Sequence, residues 1–479
     1  MLSLQEVRDT AIKDGMECLA AANDGSAVFF RRLQSPLLLV QSAMLLLRQC
    51  AVPQLNYQLR CMAPSCMSET AAEFDHTVLT AAYDKLQLRR YERTPEVELL
   101  LRLKLMHGGF GLTSAVLVSP AASLASVAAA RHTAILTPFC AEGRPLPSDS
   151  LLHGWLTDSM ARMLQAFPHA GQFLPDTAAS YFSFYAKAKP SLSSTLQSEL
   201  SKRASKHSFK ASLIAAEQKR RQDGGAALAH ARAITATYAS AWKRAAPTQP
   251  MATLSDNHYR IAARLNLGLT PFSASADTPQ HCTLCRHGAV IARDPWHALV
   301  CNSRVRQEVF RRHNAVAAAL CHAVLLMGGQ AVREPKGLHV EDGRRPDIQI
   351  VFPGVHLLTD VVVSHPLRAG VTTEKNTARL GIARHAQAGK HKSYAETATR
   401  HDAVLLPFSV ETCGGMAEDA VDLLDRIATA GAEHLAFWSH NRIVQHLLAV
   451  VAIAIQKGNA TTVLRWHQDA TVRASVVED

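Results

Sequence analysis

Apolar residues fall at mixed helical spacings through the first part of the chain. Leu37 to Val40 lead into Ala43 and Leu45 to Leu47, and Phe74, Val78, Leu79 and Ala82 repeat the stripe. Ser35-Pro36 has the form of a helix start, and Pro53 is placed to break that helix. The run His107-Gly108-Gly109-Phe110-Gly111-Leu112 interrupts the pattern, and a small-residue helix is predicted over 120–130. Residues 136–260 read as polar helix, and 271–280 as a loop.

Beyond 270 the period changes. A helix is predicted over 304–327, stopped by Gly328-Gly329. Short β-rich runs follow at 331–333, 347–352 and 357–363, the last two joined by a Pro353-Gly354 turn. Helix returns over 374–400, a strand over 403–410, and helix over 431–479. The prediction is an α+β multidomain chain: a helical N-terminal half, then a small Cys/His unit, an α/β unit in the order α-β-β-β-α-β, and C-terminal helices. The expected units are 1–135, 136–265, 275–305, 306–430 and 431–479.

The chain has 479 residues, of which 48% are apolar, so most of it can bury a core. Its formal net charge is +11, which favours a polyanionic partner. Ten basic residues lie between Lys202 and Arg244, opposed only by Glu217 and Asp223. A solvated face usually mixes both signs. This stretch hardly does, which makes Lys202, Arg203, Lys206, Lys219, Arg220 and Arg221 candidates for tracking phosphates. The longest apolar run, residues 447–455, is short of the roughly twenty residues that a membrane span needs. No cationic leader precedes an apolar stretch at the N-terminus, and ten sparse cysteines fit a reducing compartment.

Two constellations carry chemistry. Cys282 and Cys285 form a CxxC, followed by His297 and Cys301 one helical turn apart. Four such donors suit tetrahedral zinc, in a structural role. His281 and His287 could replace His297. The site would brace the helix that carries Arg304, Arg306, Arg311 and Arg312, four further candidates for nucleic-acid contact. The second constellation is acidic. Asp347 opens one strand, and Asp360 stands thirteen residues later among Val and Leu, where a carboxylate needs a partner or a metal. Two converging carboxylates suit Mg²⁺ or Mn²⁺. An exposed strand-end aspartate beside a salt-bridged one would give the same pattern. Glu334 is a third carboxylate candidate. The next helix carries Lys390, Lys392 and Tyr394; Lys390 and Tyr394 share a face, and a lysine there could serve the water and the scissile phosphate.

Together the CCHC knuckle, Arg345-Pro346-Asp347, Asp360 and the Lys/Tyr helix resemble the restriction-like PD-(D/E)XK endonuclease of site-specific non-LTR retrotransposons. Pro346-Asp347 matches the PD and Asp360 the second acidic position. Val362 replaces the usual lysine, which in this family is moved to the following helix, matching Lys390 or Lys392. The segments around Leu46–Arg60, His107–Leu112 and Lys457-Gly458-Asn459-Ala460 are similar to the region after the polymerase palm in such elements. No Φ-Ala-Asp-Asp polymerase motif is present. The resemblance implies the C-terminal portion of an element polyprotein, without polymerase activity, that nicks target DNA for target-primed reverse transcription. It implies structural zinc, catalytic Mg²⁺ or Mn²⁺, and a DNA target. Element RNA and a polymerase-bearing element protein are further partners, in the nucleus and away from membranes. The rival expectation is a non-catalytic nucleic-acid-binding remnant.

Overall fold

The computed structural model describes residues 27–130, 133, 136, 139, 144–186, 190–223, 225–273, 281–285, 288–292, 294–301, 305–338, 345–367, 373–435 and 437–478. These residues are mostly helical, with a small mixed sheet in the second half.

In the N-terminal half, α1 (Pro64–Leu86) starts with proline in its first turn, where the missing N–H costs nothing. Its Asp75 accepts from the Ala115 N–H at 2.7 Å and pairs with Arg102 at 3.1 Å, which fixes the start of α2 (Ala115–Ala129). The expected start at Ser35-Pro36 is displaced. The helix begins at Val40, whose N–H is capped from a distance by Asp256 at 2.9 Å. Pro53 does not end that helix. A wide turn and then a tight one (Leu47–Ala51, Val52–Leu55) carry the chain past it to Cys61. The Gly108-Gly109 turn is sterically forced: Gly108 has φ +78°, and a Cβ on Gly109 would lie 2.0 Å from the Leu103 carbonyl oxygen. The long basic helix α3 (Pro190–Gln218) packs on α2. Val40, Leu47, Leu86 and Leu101 share one core with Trp242 and Tyr259 of the 241–266 region, where α4 (Asp256–Asn266) lies. Residues expected in two separate units therefore pack together.

In the second half, α5 (Val305–Leu326) ends at Gly328, which has φ +79°. Then come β1 (Gln330–Arg333), β2 (Ile348–Phe352), β3 (Val355–Thr359) and β4 (Val361–Ser364). Next are α6 (Gly381–Arg400), β5 (Val404–Leu405), β6 (Phe408–Glu411), α7 (Glu418–His434) and α8 (His440–Glu478). β1, β2 and β3 are antiparallel neighbours, with Ile348 opposite Thr359, and β5 runs parallel to β3. The strand expected at 357–363 is interrupted at Asp360, and that at 403–410 at Leu406-Pro407. One register nevertheless runs through both breaks: Leu358 faces Leu405, Val361 faces Phe408, and the Phe408 N–H donates to the Asp360 carbonyl at 2.9 Å. The expected 374–400 helix is divided after Thr377: Leu380 takes a left-handed φ of +57°, and the turn is so tight that a Cβ on Gly381 would lie 2.1 Å from the Lys375 carbonyl oxygen.

Alternation along β3 divides the layers. Leu357 joins the core of α5, α7 and α8, while Leu358 joins Tyr394 and Ala398 of α6 on the other face. Helix α8 is the spine of this half, packed on α4, α5 and α7. It is long and apolar enough by composition to cross a membrane, more so than its 447–455 run suggested, but 67% of its most apolar window is buried inside the protein. Gly458 is required there, since a Cβ would come within 2.6 Å of the Arg312 side chain crossing from α5.

Candidate functional site

The four knuckle residues converge. The ligand atoms of Cys282, Cys285, His297 and Cys301 all lie within 4.8 Å of one another, with Cys282 Sγ 3.8 Å from Cys301 Sγ and Cys285 Sγ 3.6 Å from His297 Nε2. A short bridge between His281 and Val290, and the Cys282 N–H donating to Ala289 at 2.8 Å, turn the CxxC back on itself. The short helix His297–Val300 supplies the other pair. This donor set fits a tetrahedral metal. Asp294 Oδ2 lies 3.6 Å from His297 Nδ1, leaving Nε2 for the centre, the carboxylate–histidine arrangement common around bound metals. Asp294, then the Cys301 and Cys282 sulfurs, raise the His297 imidazole to about 11, and a metal bound at Nε2 would displace that proton. His281 is not part of it and bonds instead to the Gly288 carbonyl. His287 lies outside the described residues. Thr283 donates to Ala470 of α8 at 3.0 Å, and Trp466 of α8 packs against the unit. The centre thus staples the α8 spine rather than lining a cleft.

The acidic residues meet at the break between β3 and β4. Asp347 Oδ2 accepts from the Val361 N–H at 2.7 Å and lies 2.8 Å from His313 Nε2 of α5. Asp360 is buried, and its Oδ1 lies 2.7 Å from Lys390 Nζ. Burial, then the charge of Asp347, push the Asp360 carboxyl above the usual carboxylate range, against the pull of Lys390 and Tyr394. Burial disfavours the His313 imidazolium, but the hydrogen bond and charge of Asp347, with Asn314 and Asp360, outweigh it and raise that group. Tyr394 is buried, with its hydroxyl donating to the Arg345 carbonyl at 3.1 Å, and Lys390 Nζ stands 5.7 Å above its ring. The choice between the lysines is geometric: Lys390 is in the cleft and Lys392 is exposed. Glu334 donates its backbone N–H to the Asp347 carbonyl at 2.7 Å, but its carboxylate is exposed and paired with Arg345.

Two readings of basic residues are corrected. Lys243, counted in the Lys202–Arg244 stretch, is wholly buried and donates to the carbonyls of Gly108 at 2.6 Å and Gly109 at 3.0 Å and to Asn266 at 2.8 Å. Arg312 is also interior, bonded to Asn459 at 3.0 Å, with burial pushing it down to about 10, so no phosphate reaches it. Arg311 pairs with Glu308. On α3, Lys202 and Arg203 share Glu199 at 3.0 and 3.9 Å, and Arg220 beyond it pairs with Glu217 at 2.9 Å. Lys206, Lys210 and Lys219 are exposed and have no salt bridge among the described residues. Arg304 lies outside the described residues, as do the side chains of Arg221 and Arg306.

Asp294 and His313 were not singled out by the sequence. Asp294 precedes His297 by three residues, a spacing that signals a shared turn. Nothing in the spacing around His313 marks it. No protein-family profile matches the chain. No curated protein matches it either.

Proposed function

We propose that the protein is a metal-dependent DNA endonuclease of PD-(D/E)XK type that nicks target DNA, with the knuckle as a structural zinc site. The observation that carries this is the meeting of Asp347, Asp360 and Lys390 at one strand break. The fit to Mg²⁺ or Mn²⁺ rests on two hard oxygen donors crowded enough to raise Asp360. A cation held by Asp347 and Asp360 would neutralise charge at the scissile phosphate. The protein's own groups do the rest. Lys390 Nζ sits where it can steady negative charge developing on a phosphate or hold a proton for the attacking water. Tyr394 supports Lys390 from below, and His313 orients Asp347.

The sequence resemblance extends the proposal: a retrotransposon-derived chain without polymerase motifs, acting in the nucleus beside a polymerase-bearing element protein. Exposed Lys206, Lys210 and Lys219 support a backbone-tracking surface for DNA or element RNA. A second reading, a non-catalytic nucleic-acid-binding remnant, is favoured by one observation. Glu334 is turned to Arg345, and His313 and Lys390 already neutralise both aspartates, which leaves only two carboxylates for a metal. Incubating the full chain with supercoiled plasmid and Mg²⁺ or Mn²⁺ separates the two. Nicked circles that vanish when magnesium or manganese is left out support the endonuclease. Bound but uncut plasmid with both metals supports the remnant.

A further inference from the structure

A separate cavity of 530 Å³ opens between the Leu105-Met106 turn, the 235–252 segment, Arg379 and α8. That volume is in the range of small-ligand sites, about 300–1,000 Å³. Its wall holds Arg244 and Arg379 and no carboxylate. Neither arginine has a salt bridge among the described residues; Arg244 is exposed, and Arg379 donates to the Thr235 carbonyl of the same wall at 3.0 Å. Two unneutralised guanidinium groups in one concavity favour an anion.

The second feature is Tyr238. It lines the cavity, is 36% exposed, and has φ +64°. A left-handed backbone costs a non-glycine residue about 1 kcal/mol or more, so the turn must be held in place. It is: Ser240 donates to the Leu105 carbonyl at 2.6 Å, the Ala241 N–H to Tyr238 at 2.8 Å, and the Met416 N–H to Thr237 at 3.1 Å. The fold holds a part-exposed aromatic ring in a strained turn that lines the same cavity as Arg244, Arg379 and exposed Met106.

We infer that this cavity takes one nucleotide unit of a single-stranded nucleic acid, its base stacked on Tyr238 and its phosphate toward Arg244 and Arg379. Flat, sequence-tolerant stacking beside cations is the chemistry by which single strands are held, and a paired base could not enter. The site uses neither aspartate of the acidic cleft, so failure of the nuclease reading leaves it standing.

The test is fluorescence anisotropy with the full chain, without added divalent metal, on a short labelled single strand and on the same sequence as a duplex. Tyr238→Gly removes the ring and relieves the strain, so its Tm should hold or rise while single-strand affinity falls about tenfold. Arg244→Ala should weaken the same probe. Duplex affinity should stay within about threefold in both variants, because the duplex is held elsewhere. A single-strand loss of more than about threefold that the duplex does not share supports the site. A smaller loss in both variants, or an equal loss on the duplex, overturns it.

Discussion

Lys390 and Asp360 form a contact of 2.7 Å across the face of the sheet, joining the middle of α6 to the break between β3 and β4. The carboxylate is buried and the ammonium is partly open, with 5% and 32% of the side chains exposed. A buried aspartate with one cation behind it and Asp347 in front is a costly arrangement for structure alone. It makes sense as a site in which the pair waits for further charge.

Lys390→Ala and Lys392→Ala should therefore separate. Losing Lys390 should reduce nicking by at least about a hundredfold, the scale on which single stabilising donors act. Losing exposed Lys392 should change the rate by less than about threefold and weaken DNA binding modestly. Single-turnover rates on a nicking substrate, measured at saturating enzyme, distinguish the two.

The knuckle should carry one zinc per chain. Cys301→Ser or a strong chelator should release it and loosen the contact of the 281–301 unit with α8, because ligand binding and local folding are coupled. Elemental analysis and thermal melting check this. Zinc-free protein with an unchanged melt would count against a structural metal.

The exposed lysines of the basic stretch should set the salt dependence of nucleic-acid binding. Replacing Lys206, Lys210 and Lys219 together with alanine should reduce the slope of log affinity against log salt by about 2 to 3. Lys243 would not behave this way. Its loss should destabilise the Gly108-Gly109 turn, whose carbonyls it holds at 2.6 and 3.0 Å.

Glu411, at the end of β6, gives a pH signature. Burial pushes its carboxyl up to about 7, against the pull of the Ala383 N–H and Arg384. A folded-state value above the unfolded one means that stability is fully present below the unfolded value, near 4.5, and is lost as pH rises through about 7. Glu411→Gln should therefore raise stability by about 3 kcal/mol at pH 8 and change it little at about pH 4. Urea denaturation at the two pH values measures the difference.

Features with local causes were legible in the sequence. The CxxC and the His297–Cys301 turn fix their own ligand spacing, and Gly328 and the Pro353-Gly354 turn punctuate the β-rich segment as their backbone preferences require. What depends on tertiary contact was not legible. Lys243 and Arg312 read as surface charge, yet Lys243 sits among carbonyl and amide oxygens of distant segments, and Arg312 is buried against Asn459 of α8. Lys390 and Lys392 differ by two positions, and only the packing of α6 on the sheet separates cleft from solvent. His313 faces Asp347 only because α5 packs over β4. The helix capped by Asp256 rather than by Ser35 has the same origin: its cap arrives from far along the chain.

The most direct measurement is metal-dependent nicking by Asp360→Asn, followed alongside its thermal stability at pH 8. Burial and Asp347 disfavour the charged carboxylate, so the neutral amide should melt at or above the temperature of the parent protein. The same change removes one of the two anionic metal donors, so cutting with Mg²⁺ or Mn²⁺ should fall below detection, as it should in Asp347→Ala. A well-folded Asp360→Asn protein that nicks DNA at the parent rate would contradict the account.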